Sequence, residues 1–139
     1  FTTLTPNLGY IAYDGGKRVV ISDIPGIIEG AHKNRGLGLE FLRHIERTKV
    51  LLFVLDAGGV EGRNPVDDFA VLQHELMHYN PGLLERPSWC VLNKCGVEGS
   101  QEYIRAFKEQ VTHPYTMEVS GLDGTGLEDL KAVVGALAF

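Results

Sequence analysis

The chain has no apolar run long enough to cross a bilayer, and no secretory pattern opens it. It has two cysteines, too few for a disulfide framework. Cys90 sits in an apparent strand and Cys95 just past it, so reduced thiols in an intracellular protein are expected. It lacks a positive charge excess. The formal net charge is −5, which argues against a broad basic nucleic-acid surface while leaving room for a local basic patch. Internal repeats and low-complexity tracts are missing. So is any G-x-x-x-x-G-K-[ST] phosphate loop. What is present is ordinary for a globular protein: 139 residues at 44% hydrophobic content, enough for one domain with one core. The chain begins at Phe1, inside a polar loop-like stretch, and is expected to be a fragment.

The most informative segment is Ile21-Ser22-Asp23-Ile24-Pro25-Gly26-Ile27-Ile28-Glu29-Gly30. An apolar run stops at an aspartate, and a proline, two glycines and a carboxylate follow. This pattern reads as a buried strand feeding a loop. In open α/β sheets, ligand chemistry sits at the carboxyl ends of strands. An aspartate there can hold Mg²⁺ through water, and a glycine three residues on lets a backbone N–H approach a phosphate. Turn chemistry alone produces the same residues.

Upstream, residues 8–13 and 17–23 flank Asp14-Gly15-Gly16 and read as a β-hairpin. Gly26 to Gly38 is a long glycine-rich, charged loop. Leu37, Phe41, Leu42 and Ile45 mark an amphipathic helix ending at Thr48, with Arg43, His44, Arg47 and Lys49 as its polar side. Val50 to Asp56 is continuously apolar, as expected of a central parallel strand covered on both faces. Val66 to Met77 reads as a helix stopped by Asn80-Pro81-Gly82. Trp89 to Leu92 is a strand leading to Asn93-Lys94. Gln101 to Val111 is helical, Tyr115 to Val119 is a short strand ending at Ser120-Gly121, and Leu127 to Leu137 is a closing helix. The alternation predicts an α/β domain with a mostly parallel sheet, an antiparallel edge hairpin and flanking helices.

Asp23, Asn93-Lys94 and Ser120-Gly121 would then gather at one sheet edge. With Phe1-Thr2-Thr3 ahead of them, their order is that of a Ras-like, P-loop NTPase-type G domain. The stretches Phe-Thr-Thr-Leu-x-Pro-x-Leu-Gly, Asp-Ile-Pro-Gly-Ile-Ile-Glu-Gly-Ala-His, Gly-Leu-Gly and Phe-Leu-Arg-His-Ile-Glu-Arg fill residues 1–47 with hardly a gap. They resemble the Obg family of GTPases. The resemblance continues more loosely to the C-terminus, and Asn34-Arg35-Gly36-Leu37-Gly38 is most similar to the mitochondrial members, favouring the mitochondrial matrix over the cytoplasm.

The resemblance implies roles. Thr3 (or Thr2, one register away) would reach Mg²⁺ through its hydroxyl and the γ-phosphate through its backbone. Asp23 would hold Mg²⁺ through water, and the Gly26 N–H would touch the γ-phosphate. Ile27 stands where Ras-like proteins place a water-orienting glutamine, so slow intrinsic hydrolysis with partner- or monovalent-cation-assisted water positioning is expected. Asn93, Lys94, Ser120 and Gly121 would bind the base of GTP or GDP. The family's phosphate loop and N-terminal glycine-rich domain lie upstream, so residues 1–139 would form a partial G domain, running from the threonine loop to the C-terminal helix and inactive alone. The family implies maturation of the large ribosomal subunit. Ribosomal RNA, ribosomal proteins and other assembly factors are the implied partners, with Arg43, Arg47, Lys49, Lys33 and Arg35 as contacts.

One departure bears on specificity. The guanine motif reads Asn93-Lys94-Cys95-Gly96. The family's aspartate at the fourth position accepts from guanine N1 and N2, and glycine cannot. Guanine preference is expected to weaken unless Glu98 or another acid substitutes. Ser120-Gly121 in place of Ser-Ala is milder, because the contact there is mainly a backbone N–H. Two alternatives remain open: a GTPase-like scaffold that no longer hydrolyses, and a zinc hydrolase built on His74-Glu75-Leu76-Met77-His78, which fits H-E-x-x-H.

Overall fold

The computed structural model describes residues 8–22, 47–59, 62–79, 81–113 and 115–139. Strand β1 (Leu8–Ala12) pairs antiparallel with β2 (Arg18–Ser22), with Tyr10 opposite Val20. The intervening Asp14–Gly16 turn needs left-handed backbone at both glycines, with φ of 81° and 79°. Strand β3 (Leu51–Asp56) runs parallel to β4 (Ser88–Asn93), and β4 runs parallel to β5 (Thr116–Glu118). Three helices connect or close these strands: α1 (Pro65–Tyr79), α2 (Ser100–Gln110) and α3 (Leu127–Ala138). The predicted α/β class, parallel sheet, hairpin and flanking helices are all present. The helix predicted from Leu37 to Thr48 lies almost wholly outside the described residues.

Sequence explains the local choices. Asn64 caps α1: its Oδ1 accepts the Asp67 N–H at 2.9 Å and its amide donates to the Asp67 carboxylate at 2.8 Å. Pro65 takes the first helical position, where no N–H is needed. Phe69 and Leu76 then face Phe53 and Leu55 of β3, Cys90 and Leu92 of β4, and Ile104 and Phe107 of α2 in one buried cluster. Phe69 meets Phe53 edge-on at 5.0 Å and Phe107 at 5.7 Å. The turn after α1 is a 3₁₀ helix, Pro81–Glu85, which sends Leu83 into the same core.

Two expectations change. The strand covered on both faces is β4, not β3: Cys90, Val91 and Leu92 are consecutively buried, whereas Val54 of β3 is 59% exposed. The cause is sheet order. Strand β4 is the middle one and β3 an outer one among the described residues. Second, among the described residues β1 and β2 form their own two-stranded sheet. They dock on the rest through Tyr13, whose ring meets Phe139 edge-on at 5.5 Å and whose hydroxyl donates to the Lys131 carbonyl of α3 at 2.7 Å.

Candidate functional site

Three strand ends meet at one edge of the parallel sheet: Asp56 from β3, Asn93 from β4, and Ser120 just past β5. The backbone ties them together before any side chain contributes. Ala57 N–H donates to the Asn93 carbonyl at 3.0 Å, and Cys95 N–H donates to the Val119 carbonyl at 3.1 Å. Parallel strands that end in register leave their loops side by side, which is why this edge of an open α/β sheet collects ligand-binding residues.

Asn93 joins two of the loops. Its Oδ1 accepts the Gly121 N–H at 3.0 Å and the Lys94 N–H at 2.9 Å. Two backbone donors on one atom require that atom to be the oxygen, which fixes the amide orientation. The amide nitrogen has no partner among the described residues and stays available as a donor. The Gly121 N–H, expected to serve the base, is directed to Asn93 in this structure. An alanine at 121 would meet Asn93 Oδ1 at 3.8 Å, an ordinary contact, so glycine is not required there by space.

Lys94 is the single described non-glycine residue in the left-handed region, with φ of 67°. Such a backbone costs about 1–2 kcal/mol. Its ammonium reaches Asp56 Oδ2 at 2.8 Å, while Asp56 Oδ1 accepts the Gly58 N–H at 2.7 Å. Asp56 was not singled out by the sequence. The signal was a strand-terminal aspartate whose partner lies 38 positions away. Partial burial pushes its carboxyl up, but Lys94, the Gly58 N–H and the charge of Arg63 together hold it below the usual range.

That lowered value has a pH signature. A carboxyl depressed on folding stabilises the fold above its unfolded pKa of about 3.9, and the contribution disappears as pH falls below that. Both partners are more than a third exposed, so solvent screening limits the pair to about 0.5 kcal/mol. Asp56→Asn is therefore expected to lose about this much at pH 7 and nothing at pH 2. Urea melts of both proteins at the two pH values check it, and an equal deficit at both would refute the charge argument.

Gly96 follows in a turn beside the Ser120 loop. Glu98 places no atom within 4 Å of a Cβ built at Gly96, whereas Asp123 Oδ2 lies 3.5 Å from it. Ser120 is buried, and its backbone exchanges bonds with its own loop: its N–H donates to the Thr125 carbonyl and its carbonyl accepts the Gly124 N–H, both at 2.9 Å. Asn93, Lys94, Ser120 and Gly121 are thus brought together. Thr3, Asp23, Gly26 and Ile27 lie outside the described residues, as do Lys33, Arg35 and Arg43. Arg47 and Lys49 are exposed.

The zinc alternative is not carried by the geometry. Glu75, its general base, is 1% exposed within the fold, while His74 and His78 are exposed. His78 Nδ1 lies 2.8 Å from the His74 carbonyl, a bond within the helix. Among the described residues no three His, Cys, Asp or Glu side chains cluster to hold a metal. Cys90 and Cys95 are free thiols, and burial pushes Cys90 up to about 12. Among the described residues, no helix is long and apolar enough to cross a membrane.

Residues 1–94 match the 50S ribosome-binding GTPase family. The GTPase Obg of Protochlamydia amoebophila is 54% identical over 132 residues, which are 94% of this chain and 39% of that protein. The GTPase Obg of Bacillus licheniformis is 47% identical over 94% of this chain and 31% of its own length. The chain thus spans about a third of the length of these relatives. Two solved structures share the fold. One is translation elongation factor SelB from Methanococcus maripaludis in complex with the GTP analogue GppNHp, with a TM-score of 0.60 at 16% identity over 98% of this chain and 28% of that one. The other is a probable GTP-binding protein engB, with a TM-score of 0.54 at 17% identity over 94% and 82%. With two thirds of its length inside the family match and its relatives named for the same GTPase, the chain belongs to the 50S ribosome-binding GTPase family, on its Obg side.

Proposed function

We propose that this protein binds and hydrolyses GTP and acts as a switch in assembly of the large ribosomal subunit. The observation that carries the reading is the Asn93–Gly121 bond. It closes two loops, 28 residues apart in sequence, into one edge at the carboxyl ends of parallel strands. Membership of a family described as 50S ribosome-binding supports the assembly role. The exposed Arg47 and Lys49, with Arg43, Lys33 and Arg35 nearby in sequence, are the cationic groups proposed to meet ribosomal RNA.

In this reading Asn93 and Lys94 frame the base, while Ser120 and Gly121 hold the neighbouring loop. Gly26 offers its N–H to the γ-phosphate. Thr3 and Asp23 would hold Mg²⁺, whose charge offsets that developing on the phosphate oxygens. Ile27 has no polar group to orient water, so hydrolysis is slow until a ribosomal partner or a monovalent cation positions it. The resemblance of the Asn34–Gly38 stretch to mitochondrial members supports a mitochondrial location in this reading.

Gly96 favours the second reading, a scaffold that keeps the shape of a GTPase without its signal. Equilibrium binding of GTP, ATP and XTP to the full-length protein with Mg²⁺, followed by single-turnover hydrolysis with and without large ribosomal subunits, separates the two. Tight GTP binding with subunit-accelerated turnover is expected. Binding of none of the three leaves the scaffold.

A further inference from the structure

We infer that Asp123 reads the guanine base in place of the carboxylate missing at position 96. The inference rests on the GTP reading above and names its specificity determinant. Position 96 is where the family's aspartate would accept from guanine, and this chain has glycine there. A Cβ built at Gly96 would lie 3.5 Å from Asp123 Oδ2. Apart from its chain neighbours, no other described atom comes within 4 Å of that point. The space a side chain at 96 would enter is therefore met by a carboxylate oxygen from the loop after β5.

That carboxylate is held for the task. Asp123 Oδ1 accepts the Thr125 N–H at 2.9 Å and the Thr125 hydroxyl at 2.6 Å. Asp123 N–H approaches Ser120 Oγ at 3.4 Å. Oδ1 is thus committed to Thr125, which fixes the carboxyl plane, while the Ser120 hydroxyl adds a weaker bond to the carboxyl. The Thr125 hydroxyl and then its N–H, with a smaller bond from Ser120, hold the Asp123 carboxyl below the usual range. Guanine presents N1–H and N2–H donors along one edge, and an ionised carboxylate oxygen accepts both through its two lone pairs. The same loop is tied to Asn93 through Gly121, so Asp123 and the amide nitrogen of Asn93 belong to one assembly. The other nearby acids are excluded. Glu118 is paired with Lys108 at 2.7 Å, and Glu98 does not approach Gly96.

The test uses the full-length protein and three nucleotides: GTP, ITP (which lacks the N2 amine) and XTP (which has a carbonyl at that carbon). Asp123→Asn is the informative variant. Its Oδ1 still accepts both Thr125 bonds, and only the outward Oδ2 becomes an amide donor, which opposes guanine and complements the xanthine carbonyl. Wild type is expected to bind GTP roughly tenfold to hundredfold tighter than ITP or XTP, the range for a charged hydrogen bond. Asp123→Asn is expected to lose GTP affinity by a similar factor and to prefer XTP. Adding Gly96→Asp to that variant is expected to restore GTP preference. If wild type binds GTP tightly yet treats ITP alike, or if Asp123→Asn leaves the GTP-to-XTP ratio unchanged, the inference is overturned and GTP binding stands. If wild type binds no nucleotide, the GTP reading fails and takes this inference with it. Equal wild-type affinity for GTP and ITP overturns the inference even if Asp123→Asn does not fold.

Discussion

Gly126→Ala is expected to lower folding stability by about 3 kcal/mol, combining backbone strain with a clash. Gly126 precedes α3 with φ of 76°, a region that costs a side-chain-bearing residue about 1–2 kcal/mol. A Cβ there would also stand 2.4 Å from the Glu118 carbonyl oxygen and 3.2 Å from Val119 Cγ1. The Glu118 oxygen is backbone of β5, in register with Leu92, so it cannot swing aside as a side-chain tip could. Gly124 is the control. Its φ is 85°, but nothing lies within 4 Å of its Cβ position, so Gly124→Ala is expected to lose only about 1 kcal/mol. Urea midpoints at constant slope report the difference. Equal losses at 124 and 126 would remove the clash from the explanation.

Asn93→Ala is expected to weaken GTP binding by roughly thirtyfold, about 2 kcal/mol, because it removes two acceptor bonds and one free donor. Gly121 and Lys94 N–H groups would both lose their shared acceptor, and the two loops would separate. Asn93→Asp divides the roles. A carboxylate still accepts both N–H groups, so stability should hold, but it cannot donate to the base. Titration with a fluorescent guanine nucleotide is the measurement. Wild-type affinity in Asn93→Asp would show that the amide nitrogen makes no contact with the base and that residue 93 only builds the loop.

How legible was this protein from residues alone? Strand and helix positions followed from apolar spacing, because each element buries one face or two and the period reveals which. The covered strand was misassigned for a reason of the same kind. Val50 to Asp56 is as apolar as Trp89 to Leu92, and composition does not say which of two apolar strands lies in the middle. That Asn93, Lys94, Ser120 and Gly121 lie together was legible from motif order, since backbone-adjacent loops at strand ends are fixed by topology. Asp56 and Asp123 were not found. Their roles depend on partners far apart in the chain: Lys94 for one, and the vacant side-chain position at Gly96 for the other. A glycine where an acid is expected signals a loss. Only the fold brings a carboxylate from a neighbouring loop beside that position.

The Asn93–Gly121 bond has a consequence for time as well as for shape. Asn93 joins the two loops directly, so in the proposed reading a base meets loops already linked by the protein's own bond, and less loop-closure entropy is left to lose on binding. Association should then run at a rate set by diffusion and by the phosphate-side residues, nearly the same for every guanine-edge variant. Differences among nucleotides would appear in how long each one stays. For the switch proposed here, this would make the base edge a clock on residence, separate from whatever the phosphates trigger.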